Sequence, residues 1–181
     1  MTDAEAYRAK MAARFHTFDQ DGDGEVTRRD FHHMARRVAE TFEVTDGSEA
    51  GLRLTAAADC YWEGMAGLAD TDLDGRITRA EFVTAAQAGL HQDPGAFARI
   101  ALPWHQAVLD VANPDAERAS STASTVERVL VALGAEPHRA RLISAEHRTD
   151  PTGRITHEEI LREVENYYTT ATPQRAFPVP A

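Results

Sequence analysis

Cysteine is almost missing from this chain. Cys60 is the only one in 181 residues, so no internal disulfide can form and nothing asks for an oxidising compartment. Cys60 itself is expected to be a helical core thiol. Lysine is as scarce, with Lys10 alone among 19 basic residues, and acids outnumber bases 29 to 19 for a formal charge of −10. That sign is wrong for a protein that binds by neutralising nucleic-acid phosphates or an anionic membrane surface, and it makes cations the natural partners. Long apolar runs are absent too: none approaches a bilayer span, and residues 1–10 are charged and lack the apolar stretch of a secretory signal. The expectation is a cytoplasmic, monomeric protein with neither nucleic-acid nor membrane partners. A hydrophobic content of 43% is enough to bury a real core.

Two segments repeat each other. Asp19-Gln20-Asp21-Gly22-Asp23-Gly24-Glu25-Val26-Thr27-Arg28-Arg29-Asp30 and Asp70-Thr71-Asp72-Leu73-Asp74-Gly75-Arg76-Ile77-Thr78-Arg79-Ala80-Glu81 both carry acids at positions 1, 3, 5 and 12, glycine at 6, a β-branched apolar residue at 8 and threonine at 9. This is the EF-hand calcium loop. A hard cation such as Ca²⁺ takes six to eight oxygens, and a tight loop aims alternate side chains inward only where the chain reverses midway, which Gly24 and Gly75 permit through positive φ. The candidate ligands are Asp19, Asp21, Asp23 and Asp30 in one loop and Asp70, Asp72, Asp74 and Glu81 in the other. The carbonyls of Glu25 and Arg76 join them, with Thr27 and Thr78 acting directly or through water. Asp30 is one methylene shorter than glutamate, so it reaches an ion with one oxygen; six-fold coordination weakens Ca²⁺ and makes Mg²⁺ a better competitor in the first loop. Val26 and Ile77 are expected to face each other in a short antiparallel pair that couples the two loops.

Amphipathic helices flank both loops. Tyr7, Met11, Phe15 and Phe18 share a face before the first, and Phe31, Met34, Ala35 and Val38 share one after it. Trp62, Met65, Ala66 and Ala69 enter the second loop and Phe82, Ala85 and Ala86 leave it. Asp46-Gly47-Ser48 separates the two units ahead of a helix starting near Leu52, and Asp93-Pro94-Gly95 reads as a turn. In the C-terminal half the glycine–isoleucine signature returns in residues 148–159, but Arg148 takes the place of the first carboxylate and Pro151 sits at position 4. Its helices are expected to hold Leu142 and Ile143 on one side and Ile160, Val164 and Tyr167 on the other. An odd unit would leave an apolar face exposed, so a fourth is required. The helix of Val126, Val129, Leu130 and Leu133, ended by Gly134, supplies it, and counting back places its loop at residues 114–125, with neither acid array nor central glycine. The last residues, with Pro173, Pro178 and Pro180, read as an extended tail.

Other residues have bland readings. His32 and His33 are adjacent and point apart on a helix, and His157-Glu158-Glu159-Ile160-Leu161 lacks the second histidine of a zincin. Trp62 and Trp104-His105 are read as core packing. No Ser/His/Asp arrangement, P-loop or dinucleotide-binding glycine pattern is visible, and no enzymatic activity is expected.

Four helix-loop-helix units, two matching and two degenerate, resemble the sarcoplasmic calcium-binding proteins and their bacterial relative calerythrin over nearly the whole chain. The wide gap between the first two loops and Ala132-Leu133-Gly134 carry that likeness. It implies a compact globule whose N- and C-terminal lobes pack together and a role in binding or buffering calcium, although the family often keeps active loops in the C-terminal half. With the loops and turns above, the chain is expected to be all-α, with paired lobes at residues 1–94 and 95–172, a tail at 173–181 and short loop-to-loop β pairs, and to bind two Ca²⁺ as a buffer or carrier. The alternative is a sensor that reshapes a surface for a protein target. Methionine, which lines adaptable sensor grooves, is sparse at four residues, Met1, Met11, Met34 and Met65.

Overall fold

A computed structural model describes residues 2–93, 95–113, 119–146 and 150–170. Within them the chain forms α1 (Asp3–Phe18), β1 (Glu25–Val26), α2 (Arg28–Thr41), α3 (Glu49–Ala69), β2 (Ile77–Thr78), α4 (Arg79–Gln92), α5 (Ala96–Ala112), β3 (Ser120–Thr122), α6 (Ala123–Ala132), α7 (Pro137–Glu146), β4 (Arg154–Thr156) and α8 (His157–Thr169). The fold is all-α, with two tiny antiparallel ribbons, β1 with β2 and β3 with β4. Val26 lies opposite Ile77 and Ser121 opposite Ile155. Each of these four residues is position 8 of its loop, so the register found by counting back for residues 114–125 holds.

Local chemistry sets the helix ends. Every exit helix starts after a threonine at loop position 9, and Thr78, Thr122 and Thr156 accept hydrogen bonds from Glu81, Thr125 and Glu159 amides. Position 12 is the third residue of that helix, so the acid that a loop offers to an ion is also the acid of a capping box. α3 begins at Glu49 behind the cap Ser48, slightly earlier than expected, and Leu52 is exposed. α6 ends in a Schellman motif: Gly134 at φ +100° lets its own amide reach Val131 O at 3.0 Å and Ala135 N reach Leu130 O at 2.9 Å.

One apolar cluster runs through both halves. Phe15, Phe18, Phe31, Tyr61, Trp62 and Phe82 meet Phe97, Trp104, Val164, Tyr167 and Tyr168 in it, while Val126, Leu130, Ala135, Ala140 and Ile155 form a smaller one under the C-terminal ribbon. Phe18 stacks on Phe31 at 5.5 Å between ring centroids and meets Tyr61 edge-on at 5.7 Å. Trp62 and Trp104 are buried, as core packing requires. His105 is buried too, with Nδ1 2.8 Å from Ala101 O, and burial with Arg14 nearby lowers its pKa to about 3.

Two expectations fail. Cys60 is exposed, because Leu54, Ala58, Tyr61 and Met65 define the buried face of α3 and residue 60 falls outside it. Leu142 is exposed because α7 turns Ala140 and Ser144 inward, with Ile143 only partly covered.

Candidate metal centre

Loop geometry follows from aspartates that hydrogen-bond to amides just ahead of them, a habit that bends the chain around its own carboxylates. In the first loop Asp19 accepts from Gly22 N at 2.8 Å and Gly24 N at 3.1 Å, Asp21 from Asp23 N at 3.3 Å, and Asp23 from Glu25 N at 2.9 Å. In the second, Asp70 accepts from Asp74 N at 3.2 Å and Gly75 N at 3.1 Å, and Asp74 from Arg76 N at 2.8 Å. The chain turns through positive φ at positions 4 and 6 in both loops: Gly22 at +75° and Gly24 at +89°, Leu73 at +60° and Gly75 at +80°. Leu73 is a leucine in a glycine's conformation, 85% exposed.

These turns bring Asp19, Asp21 and Asp23 together, and likewise Asp70, Asp72 and Asp74, with one carboxylate oxygen from each within 4.8 Å of the others. Such a set is all hard oxygen, partly exposed and strongly anionic, which fits Ca²⁺ or Mg²⁺ and not a thiophilic metal. Position 12, outside both three-carboxylate sets, ties position 2 of each loop to position 9. Asp30, 1% exposed, accepts from Gln20 N at 3.0 Å and from Thr27 N and Thr27 Oγ1 at 2.8 Å each. Glu81 accepts from Thr71 N at 3.2 Å, Thr71 Oγ1 at 2.8 Å, Thr78 N at 2.9 Å and Thr78 Oγ1 at 2.8 Å. These donors, led by Thr78, hold the Glu81 pKa down to about 2. Glu25 and Arg76, at position 7 of their loops, form an ion pair that ties one loop to the other beside the ribbon. Sequence reasoning treated both only as carbonyl donors and missed this pair, because their side chains meet only once the strands are in register.

The C-terminal loops are built differently. Pro151 occupies position 4, where both acidic loops need positive φ, and its ring fixes φ near −65°. Asp150 then draws the turn tight, accepting from Thr152 N at 2.8 Å and Arg154 N at 2.9 Å, while its own amide donates to Arg154 O at 2.7 Å. That carbonyl is the position-7 oxygen, and it is already engaged. Arg148 and residues 114–118, on which part of the degenerate-loop reading rests, lie outside the described residues, as does the tail at 173–181. Across the ribbon, buried Ser121 bonds His157 Nε2 at 3.0 Å and Arg154 Nε donates to Ser120 Oγ at 2.8 Å.

Paired helix-loop-helix units with converging carboxylates define an EF-hand pair, and the family model for an EF-hand domain pair matches residues 8–87. A calcium-binding protein of Streptomyces coelicolor, whose structure is described as a basis for prokaryotic calcium-mediated regulation, is 39% identical, with 97% of this chain and 99% of that chain covered at a TM-score of 0.80. Calerythrin of Saccharopolyspora erythraea is 24% identical over 160 residues, 88% of this chain and 90% of that protein. The coelenterazine-binding protein of Renilla muelleri, at 20% identity and a TM-score of 0.69 over 97% of this chain and 96% of that chain, shares the fold. The chain belongs to the calerythrin-like EF-hand calcium-binding proteins. No described helix is long and apolar enough to cross a membrane.

Proposed function

We propose that the chain takes up two Ca²⁺, one at Asp19, Asp21, Asp23, Glu25 O and Asp30 and one at Asp70, Asp72, Asp74, Arg76 O and Glu81. Thr27 and Thr78 assist directly or through water, and the protein acts as a non-catalytic cytoplasmic Ca²⁺ buffer or carrier. The observation that carries this reading is the convergence of three carboxylates at each of two loops locked together by one ribbon. Two Ca²⁺ add four charges and bring the formal charge from −10 to −6, relieving repulsion among the loop acids. The first loop, with Asp30 at position 12, also admits Mg²⁺.

Support for a buffer comes from where the apolar residues lie. Among the described residues the large exposed ones are four leucines, Leu52 and Leu68 on α3, Leu73 in the second loop and Leu142 on α7, while the methionines Met11, Met34 and Met65 are buried. A sensor reading, in which the ion reshapes a surface for a protein target, is favoured by the calcium-mediated regulation described for the Streptomyces coelicolor protein. Titration calorimetry on chelator-stripped protein tests the stoichiometry, with two ions expected. Dye-detected apolar exposure separates the roles: a flat response to Ca²⁺ supports the buffer, and a large rise supports the sensor.

A further inference from the structure

All four tyrosines of the chain, Tyr7, Tyr61, Tyr167 and Tyr168, sit in one buried cluster with its single lysine and with Arg14. The cluster joins α1, which runs directly into the first loop, to the C-terminal turn of α8. A helix leaves its last carbonyls without partners of its own, and here α1 supplies them. Lys10 Nζ donates to Tyr167 O and Thr170 O, and Tyr7 Oη donates to Tyr168 O at 3.0 Å. The ammonium lies 5.0 Å from the Tyr7 ring centroid and 4.7 Å from that of Tyr167. One turn further along, Arg14 Nε donates to Tyr168 Oη at 3.1 Å, and the Tyr168 and Tyr61 hydroxyls meet at 2.8 Å. Arg14 also lies over the Phe18 ring, 4.5 Å from its centroid, and Phe18 is the residue before Asp19.

Apolar side chains would bury the same area without removing two cations from water, whereas these hydrogen bonds are satisfied in one register of α1 against α8. With that register closed, Asp19 stands within reach of Asp21 and Asp23. We propose that Lys10 and Tyr168 are positioning residues for the first ion site: their hold on α1 sets the angle at which Asp19 enters the loop. Latch closure and ion binding therefore favour each other. By reciprocity, Ca²⁺ in the first loop tightens the last turn of α8. The C-terminal half thus responds to calcium through α1. The inference rests on the first loop binding Ca²⁺.

The test uses the full chain with Asp70→Ala, so that only the first loop takes Ca²⁺, and adds Lys10→Met or Tyr168→Phe. Calorimetry with Ca²⁺ alone is expected to show the first-loop Kd weakened about tenfold, within the usual range of allosteric coupling. In the mirror background, Asp19→Ala, the second-loop Kd is expected to stay within about twofold, a split that mere destabilisation would not produce. Hydrogen exchange gives a second readout: Ca²⁺ should slow the Thr170 amide, which donates to Asn166 O at 3.1 Å, and Lys10→Met should abolish that response. Tyr168→Phe removes a single hydroxyl and keeps the test open should Lys10→Met fail to fold. An unchanged first-loop Kd, or equal weakening of both loops, overturns the latch. An Asp70→Ala chain that takes no ion overturns the first-loop site, and the latch with it.

Discussion

In the N-terminal loop pair, three carboxylates converge within each loop and the ribbon pairs Val26 with Ile77; in the C-terminal pair, a matching ribbon pairs Ser121 with Ile155 and polar side chains bridge the strands directly. Both pairs keep the position-9 threonines at the starts of their exit helices. What survives in all four units is therefore the helix-capping and strand-pairing chemistry, which needs no ion. What varies is the interior of the turn. Where acids line it, negative charge waits for a cation; where Pro151 and Asp150 tighten it, Arg154 O is bonded by the chain itself. Fold and metal capacity are separable because positions 8 and 9 pair the strands and start the exit helix with or without acids at positions 1, 3 and 5.

Removing matching acids from each half is expected to have the largest effect. Asp70→Ala with Glu81→Ala should take calorimetric stoichiometry from two ions to one, whereas Asp150→Ala with Glu159→Ala should leave it at two. Next is the bridge at Ser121. His157→Ala leaves a buried hydroxyl without its partner and is expected to cost about 1–3 kcal/mol, read as a lower urea midpoint with unchanged Ca²⁺ stoichiometry. Replacing both partners, with Ser121→Val and His157→Leu, should recover most of that loss.

Acid separates the halves more finely. Burial lowers the pKa values of His105 and His157 below the ordinary 6.5, so the folded chain binds fewer protons there than the unfolded one. Stability is then lost as pH falls from 6.5 toward 3, the value near which His105 titrates in the fold. The carboxylate of Glu81 is shifted down from 4.5 to about 2, so its contribution is complete above pH 4.5 and disappears only below it. Urea midpoints of calcium-free protein should fall between pH 6.5 and 4.5 in the parent and fall less in His105→Leu, while Glu81→Gln lowers the midpoint above pH 4.5 and makes the decline below 4.5 shallower. The smallest expected effect is at position 4 of the second loop. Leu73 pays for a left-handed conformation that glycine adopts freely, so Leu73→Gly should raise the melting temperature slightly, by a stabilisation of about 1 kcal/mol or less.

Much of this was legible in the sequence because EF-hand ligands and caps are local: a twelve-residue spacing records the turn, and the following threonine records the helix start. The fourth loop could be placed by counting back from Val126, and the ribbon register agrees. Long-range contacts were not legible. Lys10 and Tyr167 are 157 residues apart, and nothing in either neighbourhood announces the other. Ser121, a polar residue at an apolar position, became intelligible only once His157 was beside it. Cys60 and Leu142 are exposed despite their apolar character because the angular phase of each helix, decided by its buried residues, turns them outward.

Two oxygen-lined turns of the N-terminal half, and no others, are proposed to hold calcium. Calorimetric titration of chelator-stripped full-length chain, beside its Asp19→Ala/Asp70→Ala variant, tests this directly. Two Ca²⁺ are expected for the parent and none for the variant; a parent that binds any number other than two, or a variant that still binds an ion, places calcium elsewhere and overturns the assignment.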